Sequence, residues 1–122
     1  LEANLAKIRV VDDAAFMRMR CAKLLVDNGY EVMEADTGTQ AVEKYKAGKP
    51  DAVLLDVTMP DMDGLTALKK IRELDPEARI AMLSTMGQQS IVTEALKRGA
   101  MDYLVKPFEP TRVLTTVRKL VG

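Results

Sequence analysis

The segment DAVLLD, residues 51–56, decides the fold of this chain. Its four central residues are apolar without alternation, as in a strand that a parallel sheet buries on both faces. Four further short apolar runs are bounded by turn residues, which is also typical of strands. These other predicted strands cover residues 8–11, 30–35, 79–84 and 101–106.

The stretches between these runs repeat apolar residues at the spacing of an amphipathic helix. The last stretch, Val113 to Val121, shows the full i, i+1, i+4, i+7, i+8 pattern. Helices are therefore predicted over residues 15–28, 38–47, 64–74, 88–98 and 110–121. In chain order the predicted strands are β1–β5 and the predicted helices are α1–α5.

The residues at the helix ends agree with these boundaries. Thr37 and Gln40 have the spacing of an N-terminal capping box, and Pro110 suits the first turn of the last helix. Glycine follows three of the helices, where a left-handed C-terminal cap favours it: Gly29, Gly48 and Gly99.

Alternating strands and helices predict an α/β domain, (βα)5, with a parallel sheet. Right-handed crossovers place helices on both faces of such a sheet. At 122 residues the chain suits one domain, which we assign to residues 7–122. Residues 1–6 are expected to be disordered or left over from cloning.

The composition excludes several classes of function. With 18 Lys and Arg against 18 Asp and Glu, the chain has no excess of positive charge that would indicate binding to nucleic acid or to an anionic membrane. The absence of His excludes Ser-His triads and His-ligated zinc. A single cysteine, Cys21, permits no internal disulfide, so we expect a buried thiol and a cytoplasmic location. No segment has the ~20 apolar residues of a membrane span, and no nucleotide-binding glycine motif is present.

Polar side chains lie at the ends of four of the predicted strands or directly after them. In a doubly wound sheet, ligands bind beyond the carboxyl ends of the strands, so these residues are expected to converge. Taken singly, each is more often a turn residue, a helix cap or solvated surface. The convergent set is Asp12 and Asp13 after β1, Asp56 at the end of β3, Ser84 and Thr85 at the end of β4, and Lys106 at the end of β5.

Such a set of acids needs a compensating charge. Two carboxylates about 5 Å apart repel by roughly 3 kcal/mol at an effective dielectric of about 20. Protonation, Lys106 or a bound cation could offset this repulsion, and oxygen ligands suit Mg²⁺. A cation, an amine and a hydroxyl around a free carboxylate form a layout for phosphoryl transfer, in which the carboxylate becomes an aspartyl phosphate.

Four motifs occur in order along the chain: VVDD at 10–13, LLDVTMPDMDG at 54–64, MLSTMGQQ at 82–89 and DYLVKPF at 102–108. With them the chain resembles the receiver domain of two-component response regulators over nearly its whole length. AAFMR at 14–18 and MGQQ further resemble the stand-alone chemotaxis regulators. The resemblance implies a flavodoxin-like sheet in the order 2-1-3-4-5, which is the order known for a chemotaxis regulator.

The resemblance also implies roles for the acidic residues. Asp56 matches the phospho-acceptor, and Lys106 would pair with the phosphoryl oxygens. Asp13, Asp56 and the main-chain carbonyl of Thr58 would bind Mg²⁺, with Mn²⁺ able to substitute. Asp12 would act on the metal through a bound water.

Further roles follow from the same resemblance. Ser84 occupies the position of the switch hydroxyl, and Tyr103 that of the switch aromatic, although Tyr103 could simply be an edge-strand aromatic. The Lys106–Pro107 bond is usually cis in this family, whereas an X-Pro bond by itself favours trans. Phe16 and Phe108 could form a docking patch or pack in the core or at its rim.

The expected function is a phosphorylation-driven switch. A sensor histidine kinase would donate the phosphoryl group, and a downstream output protein or domain would bind the α4-β5-α5 face. The chain would catalyse only its own phosphorylation and dephosphorylation, and would be a monomer when unphosphorylated. Two alternatives remain open at this point: a phosphorylation-independent interaction module, and the excised input domain of a DNA-binding response regulator.

Overall fold

The computed structural model describes residues 6–122, in which five strands alternate with five helices. The strands are β1 Lys7–Val11, β2 Glu31–Ala35, β3 Ala52–Asp56, β4 Ile80–Ser84 and β5 Asp102–Val105. The helices are α1 Ala15–Asp27, α2 Gly38–Ala47, α3 Gly64–Leu74, α4 Gln89–Lys97 and α5 Pro110–Val121. The predicted (βα)5 order is confirmed. The expected disordered or added N-terminus falls mostly on residues 1–5, which lie outside the described residues.

The five strands form one parallel sheet in the order β2-β1-β3-β4-β5, as predicted. Pairing brings Val11 beside Leu55, and Asp56 beside Leu83. Because every pair is parallel, the carboxyl ends of all strands lie at one edge of the sheet. The residues that follow β1, β3, β4 and β5 therefore meet at that edge.

Two hydrophobic layers hold helices against the sheet. Alternate residues of β3 point to opposite sides: Leu54 contributes to the core under α1 and α5, and Leu55 to the core under α2, α3 and α4. Both leucines are fully buried, and each such side chain stabilises the fold by about 1.5–3 kcal/mol. The unbroken apolar run of β3 thus reflects burial on both faces. Among the described helices none is both long enough and apolar enough to cross a membrane.

Most of the predicted helix caps are present. Gly29 and Gly99 have φ values of 90° and 109°, in the left-handed region that favours glycine. Thr37 accepts a hydrogen bond from the N–H of Gln40 through its side chain, as a capping box requires. The side chain of Gln40 accepts from the N–H of Asp36, one residue earlier than the box predicts.

The predicted left-handed cap at Gly48 is wrong. Its φ is −157°, which is extended backbone. The end of α2 is capped instead by Arg9 of β1, whose guanidinium donates to the carbonyls of Lys44 and Gly48 at 3.3 and 3.4 Å.

Candidate functional site

Three carboxylates meet at the carboxyl edge of the sheet. Asp12, Asp13 and Asp56 each bring one oxygen to a point where all three atoms lie within 4.8 Å of one another. Asp12 and Asp56 are buried, whereas Asp13 is exposed. The strand ends thus bring together the acids that the sequence places there, and one side of the group is open to solvent.

Lys106 supplies the positive charge beside these acids. Its Nζ lies 2.7 Å from Asp12 Oδ2 and 3.3 Å from Asp56 Oδ2. The main-chain N–H of Lys106 donates to the carbonyl of Ser84 at 2.7 Å, and the following bond to Pro107 is cis. Burial lowers the pKa of Lys106, but the two carboxylates together outweigh burial and raise it. Lys106 therefore stays an ammonium ion.

Asp56 is a carboxyl group with a strongly altered acidity. Burial raises its pKa from the ordinary 3.8 to about 7; Lys106 opposes this rise and the charge of Asp12 adds to it. The N–H of Thr58 donates to Asp56 Oδ1 at 3.3 Å and favours the ionised form slightly. Near neutral pH a proton and a cation therefore compete for the same carboxylate.

The donor set fits a hard divalent cation. Asp12 Oδ1 accepts a hydrogen bond from the N–H of Ala14 at 2.9 Å. The second oxygen, Oδ2, is buried and makes no aligned hydrogen bond within residues 6–122, although the Lys106 ammonium is its ion-pair partner. Oxygen ligands with open access to water suit Mg²⁺, which retains several of its own waters. Asp12, Asp13, Asp56 and the carbonyl of Thr58 are the groups that could hold it.

Ser84 and Tyr103 border a cavity next to this cluster. Ser84 is buried, and its hydroxyl donates to the carbonyl of Leu104 at a long 3.5 Å. Tyr103 is 39% exposed, which indicates an outward position of its ring. Both residues line a cavity of about 310 Å³ between α4 and β5, together with Val92 and Leu96. The hydroxyl is weakly held and the ring has space beside it.

Arg18 holds the backbone at the end of β1, a role the sequence did not reveal. Its Nη1 donates to the main-chain oxygen of Asp12 at 2.6 Å, and its Nε forms an ion pair with Glu34 at 2.9 Å. The residue belongs to the AAFMR motif, but its partners lie 6 and 16 residues away, at spacings for which no local pattern predicts a contact. Arg18 thus fixes the peptide from which the Asp12 side chain extends.

The loop of residues 57–63, between β3 and α3, is fixed by contacts that sequence reasoning also missed. Both carboxylate oxygens of Asp61 accept from the N-terminus of α2, at 3.0 Å from Gly38 N and 2.9 Å from Thr39 N. At Gly64 a Cβ would lie 2.4 Å from the carbonyl oxygen of Asp56, so only glycine lets α3 start this close. The loop is therefore held tightly behind the acceptor.

Comparison with known proteins agrees with this geometry. The family described as "Response regulator receiver domain" matches residues 8–118. The chain belongs to this family. This receiver domain is 57% identical over 117 residues to chemotaxis protein CheY of Bacillus subtilis strain 168, covering 95% of this chain and 98% of that protein. It is 51% identical over 115 residues to chemotaxis protein CheY of Thermotoga maritima, covering 93% and 96% of the two chains.

Solved structures share the fold of this receiver domain. The crystal structure of the receiver domain of NtrX from Brucella abortus superposes with a TM-score of 0.90 at 31% identity, covering 93% of this chain and 97% of that chain. A response regulator receiver domain protein from Clostridium thermocellum gives a TM-score of 0.91 at 28% identity, with coverage of 96% and 94%.

The remaining predicted residues of the receiver domain lie around the site. Thr58 contacts Asp56 through its N–H, as described above. Phe16 is 68% exposed, whereas Phe108 is partly buried against the core under α1 and α5, which favours a packing role for Phe108. Cys21 is buried in the same core, as predicted, and burial raises its pKa to about 12.

Proposed function

We propose that this receiver domain is the phospho-accepting switch of a two-component system, in which Asp56 takes a phosphoryl group from a phosphohistidine of a sensor histidine kinase. One observation carries the proposal: Asp56 Oδ2 lies 3.3 Å from Lys106 Nζ within the cluster of three carboxylates. A nucleophilic carboxylate beside a fixed cation is the arrangement that phosphoryl transfer requires.

The step forms one bond and breaks another. An Asp56 oxygen attacks phosphorus, a new O–P bond forms, and the N–P bond to the kinase histidine breaks with the electron pair leaving on nitrogen. The Lys106 ammonium neutralises part of the charge on the transferred oxygens. When bound to the acids, Mg²⁺, or Mn²⁺ in its place, would shield those oxygens from the carboxylates. The nucleophile must be ionised, so a proton on Asp56 opposes the reaction.

The phosphoryl charge is then detected by the neighbouring side chains. The Ser84 hydroxyl gives up only a 3.5 Å hydrogen bond to Leu104 if it turns toward the new oxygens. Its movement enlarges the space into which the outward Tyr103 ring can turn. Phosphorylation thereby shifts the population of the α4-β5-α5 face, where a downstream output protein or domain binds.

The proposal extends to the setting of the protein. Similarity to several chemotaxis proteins, at 50–57% identity, supports a role in chemotaxis. In this proposal the protein catalyses only its own phosphorylation and dephosphorylation. The free, buried Cys21 thiol and the kinase partner support a cytoplasmic location, and we propose a monomer in the unphosphorylated state.

Incubation with acetyl phosphate and Mg²⁺, followed by intact mass measurement, tests this function. The wild type should gain about 80 Da, the mass of one phosphoryl group, and the Asp56→Asn variant should gain nothing. Asp36→Asn is the matched control, because Asp36 is an exposed acid that follows β2 at the same edge of the sheet. An Asp56→Asn variant that still gains the mass contradicts the assignment.

The same reagent separates the proposed switch from the alternatives. Output-partner binding that does not respond to acetyl phosphate would favour a phosphorylation-independent interaction module. Receiver domains also occur within longer proteins, since a match to NtrX covers only 27% of that chain. DNA binding that depends on this domain in a longer reading frame would favour the input-domain alternative.

A further inference from the structure

A glutamine side chain joins the two loops that border the acceptor site. Gln88 is the residue directly before α4, and its side-chain Oε1 accepts a hydrogen bond from the main-chain N–H of Thr85 at 2.7 Å. Its Nε2 donates to Thr58 Oγ1 at 2.8 Å. Because Thr85 follows β4 and Thr58 lies just after β3, one amide group connects two strand ends across the mouth of the site.

Hydrogen-bonding chemistry permits only one orientation of this amide. A main-chain N–H can only donate, so the oxygen of Gln88 must face Thr85 and its NH₂ group must face Thr58. The Thr58 hydroxyl, which accepts this bond, keeps its own proton for a further hydrogen bond. The oxygen and the NH₂ group of the Gln88 side chain therefore each have a hydrogen-bond partner of the right kind.

The bridge acts on the acceptor through Thr58. The N–H of Thr58 donates to Asp56 Oδ1, and its carbonyl is one of the groups that could hold Mg²⁺. The far part of the same loop is fixed by Asp61 on the N-terminus of α2. Gln88 adds a side-chain anchor to the near part of the loop, next to the acceptor, beside the bond from the Thr58 N–H to Asp56.

We infer that Gln88 is a positioning residue that orders the Thr58 peptide for Mg²⁺ and so raises the affinity of the site for the cation. The inference rests on the proposed function, in which that peptide is a metal ligand. Without the bridge, the Thr58 peptide keeps fewer contacts, so more of its freedom has to be lost when the cation binds, and this loss weakens binding. The loss of one neutral hydrogen bond should raise the Kd for Mg²⁺ about three- to tenfold.

Mg²⁺ titration followed by the amide signals in NMR tests the inference without any activity measurement. Gln88→Ala should bind Mg²⁺ about three- to tenfold more weakly than the wild type. Gln89→Ala, a change at the neighbouring exposed residue outside the bridge, should bind as the wild type does. The Thr85 amide should also exchange with deuterium faster in Gln88→Ala, because its acceptor is gone.

A second pair of variants tests the other end of the bridge. Thr58→Val removes the acceptor oxygen and should weaken Mg²⁺ binding as Gln88→Ala does, whereas Thr58→Ser keeps the oxygen and should preserve affinity. The double variant Gln88→Ala with Thr58→Val should bind no more weakly than either single variant, because both remove the same hydrogen bond. Additive losses would contradict the bridge.

The outcomes separate this inference from the proposed function. Unchanged Kd values for Mg²⁺ in both Gln88→Ala and Thr58→Val overturn the inference about Gln88. If the wild type still binds Mg²⁺, the metal site of the proposed function stands. A wild type that does not respond to Mg²⁺ overturns both. The deficit of Gln88→Ala in phosphoryl transfer from acetyl phosphate should shrink as Mg²⁺ rises toward saturation, and a deficit of the same size at low and saturating Mg²⁺ contradicts a role in metal affinity.

Discussion

Replacing Asp56 by Asn should stabilise the metal-free protein above about pH 7. The physical reason is that the folded protein holds a proton on Asp56 more tightly than the unfolded chain does. Between about pH 4 and pH 7, Asp56 is ionised in the unfolded chain but still protonated in the folded protein. Raising the pH through this window therefore lowers the unfolding free energy of the wild type. Asn is neutral at every pH and avoids this loss.

The structure sets the magnitude in two ways. A rise in the pKa of Asp56 from 3.8 to about 7, at about 1.4 kcal/mol for each pKa unit, corresponds to about 4 kcal/mol. Independently, at an effective dielectric of about 20, each of the two acids within 4.8 Å of Asp56 repels it by about 3.5 kcal/mol, and Lys106 at 3.3 Å attracts it by about 5 kcal/mol. The net repulsion is then about 2 kcal/mol before desolvation. We expect a gain of about 2–4 kcal/mol at about pH 8.

Urea denaturation in EDTA, followed by far-UV circular dichroism, measures this gain. The difference between Asp56→Asn and the wild type should be small near pH 4 and should grow until about pH 7. Added Mg²⁺ should stabilise the wild type more than the variant, because the variant lacks one ligand. Asp36→Asn should show neither effect. An Asp56→Asn variant that is no more stable than the wild type in EDTA at about pH 8 refutes the reasoning.

Three further predictions follow from the same contacts. Asp13→Asn should also raise the melting temperature in EDTA and reduce the gain from Mg²⁺, and an unchanged melting temperature in calorimetry would count against a crowded acidic site. Asp61→Ala should lower the unfolding free energy by about 1 kcal/mol near neutral pH through loss of its contacts to α2. Hydrogen bonds from Thr39 and Gly38 lower the pKa of Asp61 to about 2, so this difference should disappear as the pH falls from about 4 toward 2, and a constant difference in urea titrations would contradict it. Cys21, buried and with a pKa raised to about 12, should react with a thiol reagent near pH 8 only as fast as the protein opens, and rapid labelling of the folded protein would contradict its burial.

Local patterns were sufficient to predict the elements of the fold. Helices such as α2, α3 and α5 begin and end where predicted, because capping residues and proline act within a few positions of the boundary. Gly48 is the position where prediction of a helix end from local residues fails. Its carbonyl is capped by Arg9, which is remote in sequence, so the glycine need not turn left-handed.

The acidic cluster was predictable for a topological reason. Parallel strands end at one edge, and the strand order that the resemblance implies places β1 beside β3, so Asp12 and Asp56 were expected to be neighbours. Lys106 follows β5, two strands from β3, and its long side chain reaches both acids across the end of β4. The contacts of Gln88 and Asp61 were not predictable in this way. Each joins one loop to another element of the fold, and loop conformation depends on the whole packed structure.

The central claim, that Asp56 is the phospho-acceptor, is tested most directly by locating the phosphoryl group. Borohydride reduces an acyl phosphate to an alcohol and releases phosphate, so it converts a phosphorylated aspartate to homoserine, which peptide mass spectrometry can place. After incubation with acetyl phosphate and Mg²⁺, homoserine should occur at position 56 and not at Asp12 or Asp13, and EDTA should prevent it. Homoserine at Asp12 or Asp13, or phosphorylated protein with no homoserine at position 56, would contradict the account.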